Sequence, residues 1–510
     1  MPTGRHSRAK SKKVFQNGNR EHRVKPKHFL VLMTDQHSRN FMGCSGHPLV
    51  QTPHLDTLAR GGTRFTKAYT NSPICVPARA SLATGRYVHD IGFWDNAIAY
   101  DGSIPSWGHH LQNANIFTTS IGKLHYRFEN DPAGFDEQVI PMHIANGVGD
   151  LIGSIRPKLP ERTQSRKYSE EVGPGETEYT AYDRNISKKA CDWIQKKAEL
   201  GDHRPWVLFV SFIAPHFPLI VPQEYFDLYS VEDIPDIKPA DSQLMNNHPW
   251  WKAFNNCYTF DRYFKDDQHR KTAIVAYMGL CTFVDELIGN VLTCLKVSGF
   301  NDSTNIAYIS DHGDNMGARG LWGKSVMYEE AVGIPILLSG PDVPSGKIVK
   351  TPVSLVDMFP TILDGTGISK VHNGHNLPGR SLFEIAVEHE DDNRLVFSEY
   401  HGAAATSGVF MLRDGRYKYI HYAHFTPELY NLEVDPEEME NLASKSESSS
   451  TVDYYENLLR NIVDLEAVNA RAIADQAALI ESHGGSITVL NRGGIHGTPV
   501  PSRPSTLAPV

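Results

Sequence analysis

The residues with the greatest chemical reach in this chain lie around Cys75-x-Pro77-x-Arg79, which leads into Leu82-Ala-Thr-Gly-Arg86. Pro77 suits the first turn of a helix, where its missing N–H has no intrahelical partner. Ala80, Leu82 and Ala83 are good helix formers, and Gly85 can close the helix. Cys75 is therefore expected at a helix N-terminus, where backbone N–H groups favour negative charge. Arg79, four residues on, falls on the same helical face. Such a place suits an oxyanion; the plainer alternative is a small cysteine buried at a turn.

Two polar pairs follow apolar runs. Asp35-Gln36 comes after Phe29–Thr34, and Asp311-His312 comes after Asn305–Ser310. Three side-chain oxygens and one imidazole suit a divalent cation such as Ca²⁺, Mg²⁺ or Mn²⁺, and the lack of thiolate partners argues against zinc. A cation there would draw in a sulfate or phosphate oxygen and lower the pKa of a nucleophile's hydroxyl. Lys123 and His125 alternate at the end of an extended run, so both side chains reach one face. With Arg79 and Lys324, Lys123 would neutralise the oxygens of a transferred group, and His216 is a candidate general acid. Each Lys alone reads as a solvated surface residue and each His as a hydrogen-bonded structural one. Together they point to hydrolysis of an anionic ester.

Cys-Val-Pro-Ala-Arg with Leu-Ala-Thr-Gly-Arg resembles the signature of the type I sulfatases, in the alkaline phosphatase superfamily. Six segments of that family's pattern recur in order from Asp35 to Lys324. The resemblance implies that Asp35, Gln36, Asp311 and His312 are metal ligands, with Ca²⁺ the first choice and Mn²⁺ or Mg²⁺ the others. It implies that a formylglycine-generating enzyme converts Cys75 to formylglycine, whose hydrated aldehyde is the nucleophile. Arg79, Lys123 and Lys324 would form the anion clamp, and His125 and His216 would move protons. Gln36 and His312 depart from the commoner sulfatase pattern and resemble the choline sulfatase and phosphonate monoester hydrolase branch, as do Asp95-Asn96 and the tail. In that branch Asn96 is expected to touch the transferred group. Asn115-Ile116 also departs from the pattern; asparagine tolerates left-handed backbone, so a modified turn is expected there.

The elements needed to hold these groups are legible. Phe29–Thr34, Ile116–Ile121, Trp206–Ile213, Asn305–Ser310 and Ile334–Leu338 read as buried strands, and Thr52–Ala59, Trp107–Asn113, Tyr179–Glu199, Thr272–Leu295 and Ser354–Leu363 as helices. Thr63–Tyr69 reads as a strand, 129–178 as long loops over the site, and Val221–Gln268 as irregular and aromatic. After about residue 393 short strands take over, with Asp414-Gly415 as a hairpin turn, followed by a helix over Val452–Ser482. The expected fold is α/β, an alkaline phosphatase-like, mostly parallel sheet flanked by helices, with a smaller antiparallel α+β subdomain. The divisions are a basic arm (1–28), the catalytic domain (29–393), the subdomain (394–483) and a Gly/Pro-rich tail (484–510).

The 510 residues, 40% hydrophobic and 21% charged, describe an ordinary globular chain. Nine Lys or Arg against one Glu in residues 1–28 leave the remainder more acidic than the net −9. No aromatic interleaving supports nucleic-acid binding. No apolar leader and no run of 18 apolar residues is visible, so neither membrane contact nor export is expected and the location is read as cytoplasmic. The six cysteines show no close pairing and are expected as reduced thiols.

The expected activity is cleavage of a sulfate monoester by a formylglycine nucleophile with a divalent metal. The same site would serve a phosphonate monoester hydrolase or phosphodiesterase. From another class, an unmodified anion-binding protein would bind without turnover. The partners are a small anionic ester and the formylglycine-generating enzyme. The resemblance also suggests a homo-oligomer whose tail crosses to a neighbouring subunit's pocket.

Overall fold

The computed structural model describes residues 27–156, 158–201, 204–239, 247–368, 377–494 and 498–501; nearly all of the basic arm lies outside them. The main sheet has eight strands: β1 (His28–Asp35), β2 (Thr63–Phe65), β3 (Phe117–Lys123), β4 (Glu137–Met142), β5 (Trp206–Pro215), β6 (Thr304–Ser310), β7 (Ile336–Ser339) and β8 (Lys347–Val349). Their spatial order is β8-β2-β7-β6-β1-β5-β3-β4. Strand β7 pairs antiparallel with both β6 and β2, and the other pairs are parallel.

Strand β1 is buried along all eight residues, which explains its unbroken apolar run. Its side chains alternate between two cores. Leu30 and Leu32 join Leu208 and Val210 in one, while Phe29, Val31 and Met33 join Val207 and Phe209 in the other. The first core is covered by the helices Glu178–Glu199 and Asp267–Val297, the second by Cys75–Thr84 and Met358–Gly365. Because β1, β3, β5 and β6 run parallel, their C-terminal ends share one edge, the usual ligand-binding edge of such sheets.

Several elements differ from the sequence reading. Strand β4 lies within the stretch read as loops, its Glu137-Gln-Val-Ile-Pro-Met carrying too few apolar residues to mark an edge strand. Thr63–Tyr69 is two short strands, β2 and Ala68–Tyr69, which belong to different sheets. Pro249–Cys257 is an amphipathic helix whose Trp250, Trp251 and Phe254 are buried against the subdomain. The Asp267–Val297 helix is long and apolar enough to cross a membrane by composition, and 83% of its most apolar window is buried inside the fold. It is a core helix. The expected helix over Val452–Ser482 breaks at Val463-Asp464 into Ser449–Ile462 and Leu465–Ser482, with Asp464 capping the second through the Ala467 amide. The tail begins as another helix, Gly485–Arg492. Cys191 and Cys294 form a disulfide between two helices, which corrects the expectation of six thiols; close spacing was the wrong test, because 103 residues separate the two.

The antiparallel sheet consists of β9 (Val396–Tyr400), β10 (Val409–Arg413), β11 (Tyr417–Tyr422) and β12 (Glu428–Asn431), in that order. It is tied to the main domain by buried charge. Lys418 Nζ lies 2.6 Å from both Glu329 and Glu438. On the opposite side, Glu399 accepts from the His89 amide and approaches the His89 and His401 rings, and its own N–H donates to the Asn71 carbonyl.

Candidate active site

The helix Cys75–Thr84 begins at Cys75, with Ile74 extended before it, so Cys75 sits where the first amides lack intrahelical acceptors. Pro77 takes the third position and has no N–H to leave unpaired. The Val76 amide donates to Asn96 Oδ1 at 3.0 Å. Gly85 ends the helix at φ +67°, and a Cβ there would meet the Phe359 ring at 2.7 Å, so glycine is required on both counts.

The sheet edge delivers the remaining groups. Cys75 Sγ lies 3.6 Å from Asp35 Oδ1 and 3.2 Å from His312 Nε2, and Lys324 Nζ approaches it at 2.9 Å. Arg79 is fully committed: its Nη2 and Nε donate to Asp35 (3.0 Å) and Asp311 (2.9 Å), and its Nη1 donates to the Lys123 carbonyl and Ser211 Oγ. Lys123 Nζ lies 2.8 Å from Asp35. His216 Nδ1 faces the Phe217 carbonyl at 2.7 Å, which fixes the proton on Nδ1 and leaves Nε2 toward Asp35 at 3.9 Å. His125 Nε2 contacts Thr498 Oγ1 at 2.8 Å, and Tyr179 donates to the Thr498 carbonyl. Thr498 thus lies in the pocket of its own chain. Every sequence-predicted site residue converges here.

Asp35, Cys75, Asp311 and His312 are buried, and one ligand atom from each lies within 4.8 Å of the others. This group can hold a metal ion; with the Cys75 thiol set aside, the donors are two carboxylates and one imidazole, which fit a hard divalent cation. Gln36 fits as well. Its Nε2 donates to Tyr168 Oη at 2.7 Å and to Asp314, which turns Oε1 toward Lys324 and the site. Tyr168 and Asp314 are the parts sequence reasoning missed. Asp314 stands three residues after Asp311, in Asp311-His312-Gly313-Asp314, and that spacing is the one signal the sequence carries for it. The left-handed residues Gln36, His125 and Ser325 all border the site, where strained backbone is held in place by its surroundings. Asn115 is left-handed too, at φ 58°, as its residue type suggested.

Burial raises the Asp35 carboxyl, but Lys123, His216, Lys324 and Arg79 outweigh it and hold Asp35 well below the usual carboxylate range. Burial and then the neighbouring Asp35 push the Cys75 thiol up to about 11, despite Lys324 and Lys123. An unmodified Cys75 is therefore a protonated thiol at neutral pH and a poor nucleophile. Burial, followed by Lys123 and Arg79, pushes His125 well below 6.5; burial, followed by Lys324, does the same for His216, and burial pushes His312 to about 4. All three imidazoles are neutral in the free site.

A mostly parallel α/β sheet carrying an acidic, metal-competent group beside a helix N-terminus and a basic clamp defines a hydrolase of anionic esters. The Sulfatase family pattern matches residues 27–368, and the chain belongs to that family. The C-terminal pattern of N-sulphoglucosamine sulphohydrolase matches residues 317–465. Among relatives, the choline-sulfatase of Rhizobium meliloti (strain 1021) is 28% identical over 459 residues, covering 88% of this chain and 89% of its own. Arylsulfatase K of Danio rerio is 28% identical over 460 residues, covering 86% and 84%. The phosphonate monoester hydrolase of Silicibacter pomeroyi shares the fold with a TM-score of 0.68, 23% identity and coverage of 85% and 94%. The chain is a sulfatase-family hydrolase, and its fold is the expected one.

Proposed function

We propose that this hydrolase cleaves a sulfate monoester, with Cys75 carried as formylglycine and Ca²⁺ held by Asp35, Gln36, Asp311 and His312. The observation that carries the reading is the 3.2 and 3.6 Å approach of Cys75 Sγ to His312 and Asp35, with Lys324 at 2.9 Å. Formylglycine would supply a geminal hydroxyl pair as nucleophile and leaving handle, and the cation would supply a Lewis acid for the ester oxygens.

The chain's own residues do the rest. Lys123 and Lys324 orient the anion, while Arg79 spends its donors holding Asp35 and Asp311 in place. His216 is neutral in the free site because burial and Lys324 disfavour its charged form. Arrival of an anion offsets that positive field, so His216 can take up a proton at Nε2 and deliver it to the departing alkoxide. His125, its Nε2 at Thr498, accepts the proton released when the nucleophile is regenerated. Asn96 holds the Val76 amide and so fixes the loop carrying residue 75.

The second reading uses the same groups on a phosphonate monoester or phosphodiester. It is favoured by the Gln36 and His312 pair and by the likeness to proteins described as phosphonate monoester hydrolases. The test is kcat/KM for 4-nitrophenyl sulfate, bis(4-nitrophenyl) phosphate and a phenylphosphonate monoester, before and after chelation and Ca²⁺ return. Dominant sulfate turnover that chelation removes and Ca²⁺ restores is expected. Higher kcat/KM for either phosphorus ester favours the second reading, and tight sulfate binding without turnover favours an anion-binding protein. Maturation by a formylglycine-generating enzyme completes the proposal; the Cys191–Cys294 disulfide weighs against the cytoplasmic setting expected from the sequence.

A further inference from the structure

Strand β5 runs in even register with β1 from Phe29–Val207 to Met33–Ser211 and then slips, so that Asp35 faces Pro215. Its ladder with β3 ends at Gly122–Ser211. Ile213 and Ala214 therefore belong to neither ladder, at a bulge just before the loop that carries His216. Both are buried, so their amides need protein acceptors.

Asp183, fully buried on the helix Glu178–Glu199, supplies both acceptors. Its Oδ1 takes the Ile213 amide and its Oδ2 the Ala214 amide, each at 2.8 Å. The start of that helix is fixed by a capping box between Thr177 and Thr180, and Tyr179, one turn before Asp183, lines the pocket over Cys75. The chain then leads directly to the histidine. The His216 amide donates to the Ile213 carbonyl at 3.0 Å, and with Nδ1 held on the Phe217 carbonyl its Nε2 is left toward Asp35. Asp183 does not itself line the pocket. Burial pushes its carboxyl up to about 7, against the two amides and Lys123, so at pH 8 it is ionised and both oxygens accept. A second buried aspartate is built the same way at a distance from the chemistry: Asp285 accepts from the His54 and Leu55 amides at 3.0 and 2.8 Å, and none of the three lines the pocket.

Resting on the general-acid role of His216 given above, we propose that Asp183 is a positioning residue for protonation of the leaving group: by clamping the amides of residues 213 and 214 it sets the turn that aims His216 Nε2 at the departing oxygen. The consequence is selective. A departing alkoxide needs a proton delivered along a short, aligned path, whereas 4-nitrophenolate leaves without one, so a loosened turn costs the first and spares the second. A general loosening of the fold, or loss of a negative charge near Lys123, would slow both esters alike.

The experiment measures kcat at pH 8 for propyl sulfate and 4-nitrophenyl sulfate on metal-loaded protein whose residue 75 has been verified as formylglycine. Asp183→Asn keeps one acceptor and turns an NH2 group toward the other amide. It is expected to lower propyl sulfate turnover about 10-fold or more and 4-nitrophenyl sulfate turnover less than about 3-fold. In a His216→Ala background the same substitution should cost less than about 2-fold on propyl sulfate, because the group it aims is gone. Asp285→Asn should lower the urea midpoint and leave the ratio of the two esters unchanged. If Asp183→Asn folds poorly, Asp183→Glu, which keeps the carboxylate on a longer arm, goes through the same comparison with the same selective loss expected. Equal losses on both esters, or a loss that multiplies in full with that of His216→Ala, overturns the positioning role and leaves the hydrolase reading intact. Equal slowing of both esters by His216→Ala alone refutes the general-acid reading, and the inference falls with it.

Discussion

At the scale of single residues, the division of labour follows from which donors are already spent. Arg79 has every guanidinium nitrogen on a protein acceptor, so it acts by holding Asp35 and Asp311. His216 keeps Nε2 open, and its role depends on the leaving group. His216→Ala should lower kcat by about 10²-fold or more for propyl sulfate, whose alkoxide needs a proton, and by much less for 4-nitrophenyl sulfate. Steady-state kinetics on the two esters checks this, and equal losses would assign His216 a structural role. Cys75, Asp35 and Asp311 were legible in the sequence because a fixed spacing and two strand-end acids carry their own signal. Thr498 was not, because a lone Thr in a loop has no periodicity and gains meaning only through neighbours far along the chain.

Among elements, the parallel strands were readable because burial on both faces forces unbroken apolar runs such as Phe29–Thr34. Edge strand β4 and the two-helix C-terminus were hidden, since an edge strand needs little apolar surface and Asp464 can cap a helix or sit on one. The contact between β9 and the Cys75 loop was also beyond the sequence, yet it carries a measurable consequence. Burial raises the Glu399 carboxyl, but His89 and His401 outweigh it and bring it down to about 2, against 4.5 when unfolded. A folded-state pKa below the unfolded one means stability that is complete above about pH 4.5 and lost as pH falls toward 2. Roughly 3 kcal/mol at most depends on this group. Urea midpoints between pH 6 and 3 should fall less steeply in Glu399→Gln than in wild type, although Glu399→Gln starts lower; parallel slopes would show that the carboxylate is not held by the two histidines.

Across the whole molecule, the disulfide joins the two long helices that cover one face of the sheet and closes a span of 103 residues. Loops of about that length give a cross-link worth up to about 4–5 kcal/mol through the unfolded chain. Denatured, unreduced protein should therefore show two fewer titratable thiols than reduced protein, and Cys191→Ser should lower the unreduced midpoint while leaving the reduced one nearly unchanged. Equal thiol counts would restore the sequence reading and fit a cytoplasmic setting. The account as a whole rests on residue 75 working in a modified form beside the acidic group. The most direct test is to prepare the protein with different extents of modification, measure by peptide mass spectrometry the fraction of the residue 75 peptide that is about 18 Da lighter than the cysteine form, and plot kcat for 4-nitrophenyl sulfate against it. A straight line through the origin is predicted; full turnover in protein whose Cys75 remains a thiol would contradict the account.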